Sequence, residues 1–351
     1  MFKRITAAFA ASLMVFNMAA SSFAGGDVKG SSRAQTNQLV SMLPASDVVV
    51  VADGKRFFGE ALPKVLAANQ KVLNDIFAKI DAMQAKTGID LRKFDSFAAG
   101  ANIGKAEGNK FNVAPVVIAR GTANSATLID AAKKASEGKS KLETVNGIAM
   151  YVVSKKDVIA LAKKHSPVSA NSAKHEDKIA NAVDDLAFSA SDPNTIVFGY
   201  ASRVRETLEG RTKVSGELTG LLVKKPAGVV NFAGKMPGGM SSLLPLDNDE
   251  LGANIDSINA LYGAMDVANG QATISLTAVT AKSQQAADLK GTLEGLKDLG
   301  KTVLGLSKNA DKKLYAKLLG NVKLTNVSNE LNLDLAIPQN DLDALVGILK
   351  K

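Results

Sequence analysis

The chain contains two histidines, His165 and His175, and both lie in one lysine-rich stretch that ends Lys174-His175-Glu176-Asp177. Imidazole nitrogens beside carboxylate oxygens are the donor set of zinc and related divalent sites, which makes His165, His175, Glu176 and Asp177 the candidate metal ligands. Their spacing fits no ligand motif. HExxH fails because Asp177, Lys178 and Ile179 follow Glu176. Lys155, Lys156, Lys163, Lys164 and Lys174 crowd the segment and would repel a dication. An exposed hydrophilic loop accounts for the composition as it stands, so no metal or cofactor is assigned.

Other chemistry is hinted at and then denied by context. Gly138-Lys139-Ser140 looks like the end of a phosphate-binding loop, but Lys133 stands where a Walker glycine belongs. The segment also runs from helix to strand, the reverse of a P-loop. Ser136-Glu137-Gly138-Lys139 satisfies SxxK without a Ser-Asp-Asn or Lys-Thr-Gly partner, and no GxSxG elbow exists. Asp247-Asn248-Asp249-Glu250 fails as a calcium loop, since Leu251 and Ile258 would fall at ligand positions. A helix cap at Asp247 or Asp249 is the better reading, preceded by a Pro237-Gly238-Gly239-Met240 loop. The absence of cysteine excludes disulfides, thiolate catalysis and a lipidated cysteine. No catalytic residue is assigned, and the chain leans away from being an enzyme.

Charge and aromatic content exclude further classes. The 43 basic and 34 acidic residues give +9, and the excess is spread along the chain. A nucleic-acid binder would gather such charge into a stripe with aromatic platforms, but tryptophan is absent and aromatics make up only 5%. The same scarcity argues against a polysaccharide binder. A weak attraction to anionic surfaces is compatible with the charge.

Hydrophobic patterning places the elements. Val48-Val49-Val50-Val51 within Asp47–Asp53 reads as a strand. Apolar residues at helical spacing from Leu62 to Met83 predict one long helix, with Gly88 as its cap. Strands at 96–103 and 111–120, a helix at 125–136 and a strand over 142–153 follow. The first unit therefore runs β-α-β-β-α-β, the order of a split βαβ, or ferredoxin-like, module. A helix over 157–164 precedes the polar stretch. A hairpin around Ser191–Asn194 and a helix at 201–209 then close the unit. About 180 residues after the first strand, Gly228-Val229-Val230-Asn231-Phe232-Ala233-Gly234-Lys235 resembles it. A hairpin around Asn269-Gly270, a helix from Ser283 to about Leu306, a hairpin around Ser328-Asn329 and a closing helix from Asn340 repeat the grammar. Alternation of Ile274, Leu276 and Ala278 with Thr273, Ser275 and Thr277 predicts a sheet with one buried and one polar face.

The expected fold is α+β, two diverged repeats of antiparallel sheet covered by helices. Residues 1–24 read as a signal peptide, with Lys3 and Arg4 before an apolar run and Ser22-Phe23-Ala24 as the cleavage site. Residues 25–40 read as a flexible leader. The first unit spans 41–212 with an insert at 141–184, and the second, shorter unit spans 213–351. No later run is long enough to span a membrane.

Leu43-Pro44, the valine strand and the closing Val197-Phe198-Gly199-Tyr200…Val204…Leu208 resemble exported bacterial proteins of unknown function built from tandem α+β units. The resemblance implies the fold and no activity. Function is expected to be exported and non-catalytic, periplasmic or extracellular, acting through surfaces on a partner or the envelope. One alternative is a carrier holding a hydrophobic small molecule or lipid between the Leu62–Met83 helix and its sheet. Another is an enzyme using the His165/His175 loop.

Overall fold

The run of four valines forms the middle of a sheet, where both faces of a strand need apolar cover. In this computed structural model, residues 31–88, 90–106, 110–122, 124–165, 184–226, 228–239, 241 and 249–349 are described. The strands are β1 Val48–Asp53, β2 Phe94–Ala106, β3 Lys110–Gly121, β4 Lys141–Val145, β5 Ile148–Val153 and β6 Leu186–Asp192. They continue as β7 Thr195–Tyr200, β8 Val230–Lys235, β9 Ile258–Ala268, β10 Gln271–Thr280, β11 Lys323–Val327 and β12 Glu330–Pro338. All twelve join in one sheet, ordered β11-β12-β10-β9-β8-β1-β2-β3-β7-β6-β5-β4, with antiparallel neighbours throughout.

The two similar stretches turn out to be neighbours. Val49 of β1 pairs with Ala233 of β8, and Val51 with Asn231. From that seam the order is the same in both directions: a hairpin, then the second and first strands of a closing hairpin. The half that begins with β1 has in addition the β4–β5 hairpin at its outer edge. Mixed helix and antiparallel sheet is thus the observed class. The split βαβ arrangement is not, because β1 pairs antiparallel with β2 and, among the described residues, no parallel pair forms around a crossover helix.

Helices cover both faces. They are α1 Ser31–Met42, α2 (residues 54–65), α3 Gln70–Thr87, α4 Ser125–Ala135, α5 Lys155–His165 and α6 Ala201–Glu209. After them come α7 Gly216–Leu222, α8 Asp249–Asp256, α9 Ser283–Gly305, α10 Ala310–Asn321 and α11 Gln339–Leu349. On one face, Leu39 and Val40 of α1, Val204 and Leu208 of α6, and Leu218 and Leu222 of α7 pack on Val49, Val51, Val116, Ile118 and Ala233. On the other, Phe57, Leu62 and Val65 of α2 join Leu73 of α3 and Leu342 and Val346 of α11 over Val229, Val267 and Ile337. Within the strands, residues one apart point to opposite faces, so Tyr262 of β9 joins the first core and Val267 the second.

Three local expectations are corrected. The leader is helical from Ser31, anchored by buried Leu39, Val40 and Leu43. The single helix over Leu62–Met83 is two, parted at Leu66 (φ −99°, ψ 18°), with α2 starting directly after β1 and containing one π turn, Phe57–Ala61. The strand over 142–153 is a hairpin turning at Asn146 (φ 49°) and Gly147 (φ 79°), the same left-handed pair that Asn269 and Gly270 adopt between β9 and β10. In addition, α7 and α10 occupy stretches where the patterning marked no element.

Candidate functional site

The helix α9 has 23 residues, about 35 Å at 1.5 Å per residue, and the sheet supports only its first half. Ala286 and Leu289 are buried, and Leu293 packs beside Leu289, Ala278 and Leu331 on the sheet. The apolar face then runs on without a floor. Leu296 is 45% exposed, Leu299 62%, Val303 60% and Leu306 82%, at spacings of three, four and three residues. Those spacings align the four side chains along one side of the helix. The helix α10 turns back against α9, capped by Asn309, whose Oδ1 accepts from the backbone N–H of Asp311 at 2.8 Å. It buries Ala316 and leaves Tyr315 40% exposed. The result is an apolar ridge on a two-helix hairpin, and isolated exposed leucines are far commoner than such aligned ones.

Around the ridge the hairpin is basic. Between Leu296 and Lys317 it holds Lys297, Lys301, Lys308, Lys312, Lys313 and Lys317 against Asp298 and Asp311. Lys317 is committed to the buried Asp341 at 2.6 Å.

A polar clamp fixes the opposite face of the same half. Lys224 and Lys225, just after α7, reach across to Glu330 and to Asn332 (3.2 Å) on β12. Tyr262 donates its hydroxyl to Glu330 at 2.9 Å, and both lysines lie over its ring. Burial opposes ionisation of Glu330, but hydrogen bonds from Lys224 and Tyr262 and the lysine charges outweigh it and hold its carboxyl below the usual range. The hydrogen bond to Glu330 raises Lys224 in return. In the other half Arg203, 3% exposed, donates to the Ala45 carbonyl at 2.6 Å and Ser46 Oγ at 3.0 Å and also pairs with Glu206. Burial lowers its pKa. This node sits behind an open cleft of about 480 Å³ that holds Asp47, Lys213 and Lys235. Asp47 there accepts from the Ile103 N–H at 2.9 Å, and Lys235 pairs with Glu217 at 3.0 Å. The two serines of the cleft serve local structure: Ser46 donates to the Pro44 carbonyl at 2.8 Å, and Ser215 accepts from the Leu218 N–H at 3.3 Å.

The sequence candidates fall largely outside the described residues. His165 ends α5 with its side chain outside the described residues, and His175, Glu176 and Asp177 lie outside them altogether. Among the described residues no group of three metal-ligating side chains occurs. Lys139 of the phosphate-loop look-alike is 3.8 Å from Asp157. Of the helix named in the carrier alternative, Leu62, Val65 and Leu73 belong to one buried cluster with Val229 and Val267. The ridge escaped notice because the leucine periodicity of α9 is the usual mark of a buried face.

No protein-family model matches the chain, and no curated protein matches it. Among solved structures, crystal form IV of TP0453 is similar over 91% of this chain and 99% of its own, at 11% identity and a TM-score of 0.44. Crystal form I of TP0453 is similar over 89% and 97%, at 10% identity and a TM-score of 0.41.

Proposed function

We propose that this is an exported, non-catalytic protein that acts through its surfaces, and that the α9–α10 ridge is the surface through which it acts. The observation that carries the reading is the exposure of Leu296, Leu299, Val303 and Leu306 in one line on a helix whose first half is well buried. Water contact with four aligned aliphatic side chains is unfavourable, at about 25 cal/mol per Å², and a partner would relieve it. The export half of the reading rests on the Lys3/Arg4 start, the apolar run and Ser22-Phe23-Ala24. The same reading takes 41–212 and 213–351 as diverged copies of one α+β unit.

Two measurements test it. The protein isolated from its own cells should begin at Gly25 and fractionate outside the cytoplasm; an intact Met1 start in the cytosol would overturn export. A photocrosslinking residue at position 299 should form adducts in the living cell, whereas one at Gln284, on the exposed polar side of the same helix, should not. Equal labelling at both positions would remove the ridge from the account.

A further inference from the structure

We infer that the occupant of the ridge is an anionic lipid surface, on which the α9–α10 hairpin lies in the interfacial plane. This rests on the reading that the ridge is the working surface and names what it touches. Three observations converge on it. First, the ridge is a narrow line of aliphatic side chains on an amphipathic helix, the form of an interfacial helix. Second, charge selects the occupant. Six lysines stand against two aspartates over 296–317, and with Lys317 committed to Asp341 this end of the hairpin keeps an excess of three positive charges. A second copy of this chain would bring the same excess into contact and be repelled, whereas anionic headgroups would be attracted. Third, among the described residues no helix is long and apolar enough to cross a membrane, so the orientation considered for the hairpin is along the surface.

The parts divide the work by position. Leu296, Leu299, Val303 and Leu306 would enter the headgroup–acyl boundary. Tyr315, with an apolar ring and a polar hydroxyl, suits the same depth. Lys308, Lys312 and Lys313 cluster at the turn between the helices, where flexible stems let the ammonium groups reach phosphates.

The test is co-sedimentation of the full mature protein with vesicles of phosphatidylcholine alone or with about one third phosphatidylglycerol, at about 0.1 M salt. The bound fraction should be at least about tenfold higher on the anionic vesicles and should fall steeply toward 1 M salt. Leu299→Ser with Val303→Ser should abolish binding, and Lys308→Gln, Lys312→Gln and Lys313→Gln together should reduce it to the neutral-vesicle level. All five positions are on the surface, so thermal unfolding of both variants should match the parent and exclude misfolding as the cause. Binding unchanged by the serine pair, or equal on both vesicles, would overturn the inference. The crosslinker at position 299 separates the two failures. Protein adducts without vesicle binding would end the lipid inference and leave the surface reading intact. No adduct of any kind would end both.

Discussion

A methyl group added at Gly199 would have nowhere to go. The backbone there has φ +152°, and a Cβ would lie 2.5 Å from the Pro115 carbonyl oxygen and 2.8 Å from Val116 Cα, both on the neighbouring strand. Backbone cannot swing aside as a side-chain tip can, so Gly199→Ala must part β3 from β7. A loss of about 2–4 kcal/mol is expected, read as a lower urea midpoint at unchanged slope. A change under about 0.5 kcal/mol would mean that the strands open freely. Arg203 makes a second test. Arg203→Lys keeps the charge but cannot serve Ala45, Ser46 and Glu206 at once, and about 1–3 kcal/mol should be lost in the same assay. If the lysine variant matched the parent, the planar fork would be irrelevant. Gly199 was visible in the sequence only as part of the closing Val197-Phe198-Gly199-Tyr200 stretch, and the close approach of Pro115 was not. Nor was the burial of Arg203, since it depends on Ala45, 158 residues away.

Elements differ in how much of their reason is local. The turn at Asn269-Gly270 was readable because left-handed backbone at two successive positions is written in the residues that adopt it. Asn146-Gly147 has the same signature, but apolar residues on both sides let the strand pattern run through it. Helix α1 was hidden for the opposite reason: a polar stretch becomes helical because three of its neighbours sink into a core built elsewhere. The end of the sheet under α9 is likewise invisible from the helix, whose period continues unchanged from Leu289 to Leu306. The clamp joining the α7 end to β12 depends on pH in a defined direction. Glu330 is held below its usual value, so its contribution is complete above about pH 4.3 and is lost as pH falls through the lower, folded value. Comparing the melting temperatures of parent and Glu330→Gln isolates it. The parent should be the more stable by no more than about 1 kcal/mol near pH 6, Lys224 being half exposed, with the gap closing below about pH 4. A gap that widened on acidification would reverse the assigned sign.

At the scale of the molecule the two parts of the chain share one sheet and exchange packing. The seam is a strand pair, β1 with β8, and severing it would expose two central strand edges, one of them the valine run. Side chains cross it as well. Helix α2 belongs to the first half by sequence but packs on Val229, Val267 and Ile337 of the second. Arg56 pairs with Asp266 at 2.8 Å, and Gln339 donates to the Lys64 carbonyl at 2.9 Å. In return α7, at the start of the second half, buries Leu218 and Leu222 with Val49 and Val51. Two stretches of sequence can be seen to resemble each other, but their pairing across about 180 residues is a non-local contact that no window of sequence contains. The consequence is specific. Fragments 25–212 and 213–351 made separately should each aggregate. Made together they should purify as a one-to-one complex, because association restores the seam and both cores at once. The intact chain should in turn unfold in one transition seen equally by far-ultraviolet dichroism and tyrosine fluorescence. A soluble, monomeric fragment with its own cooperative melt would show that half of the sheet suffices, and that the seam joins two finished domains instead of completing one.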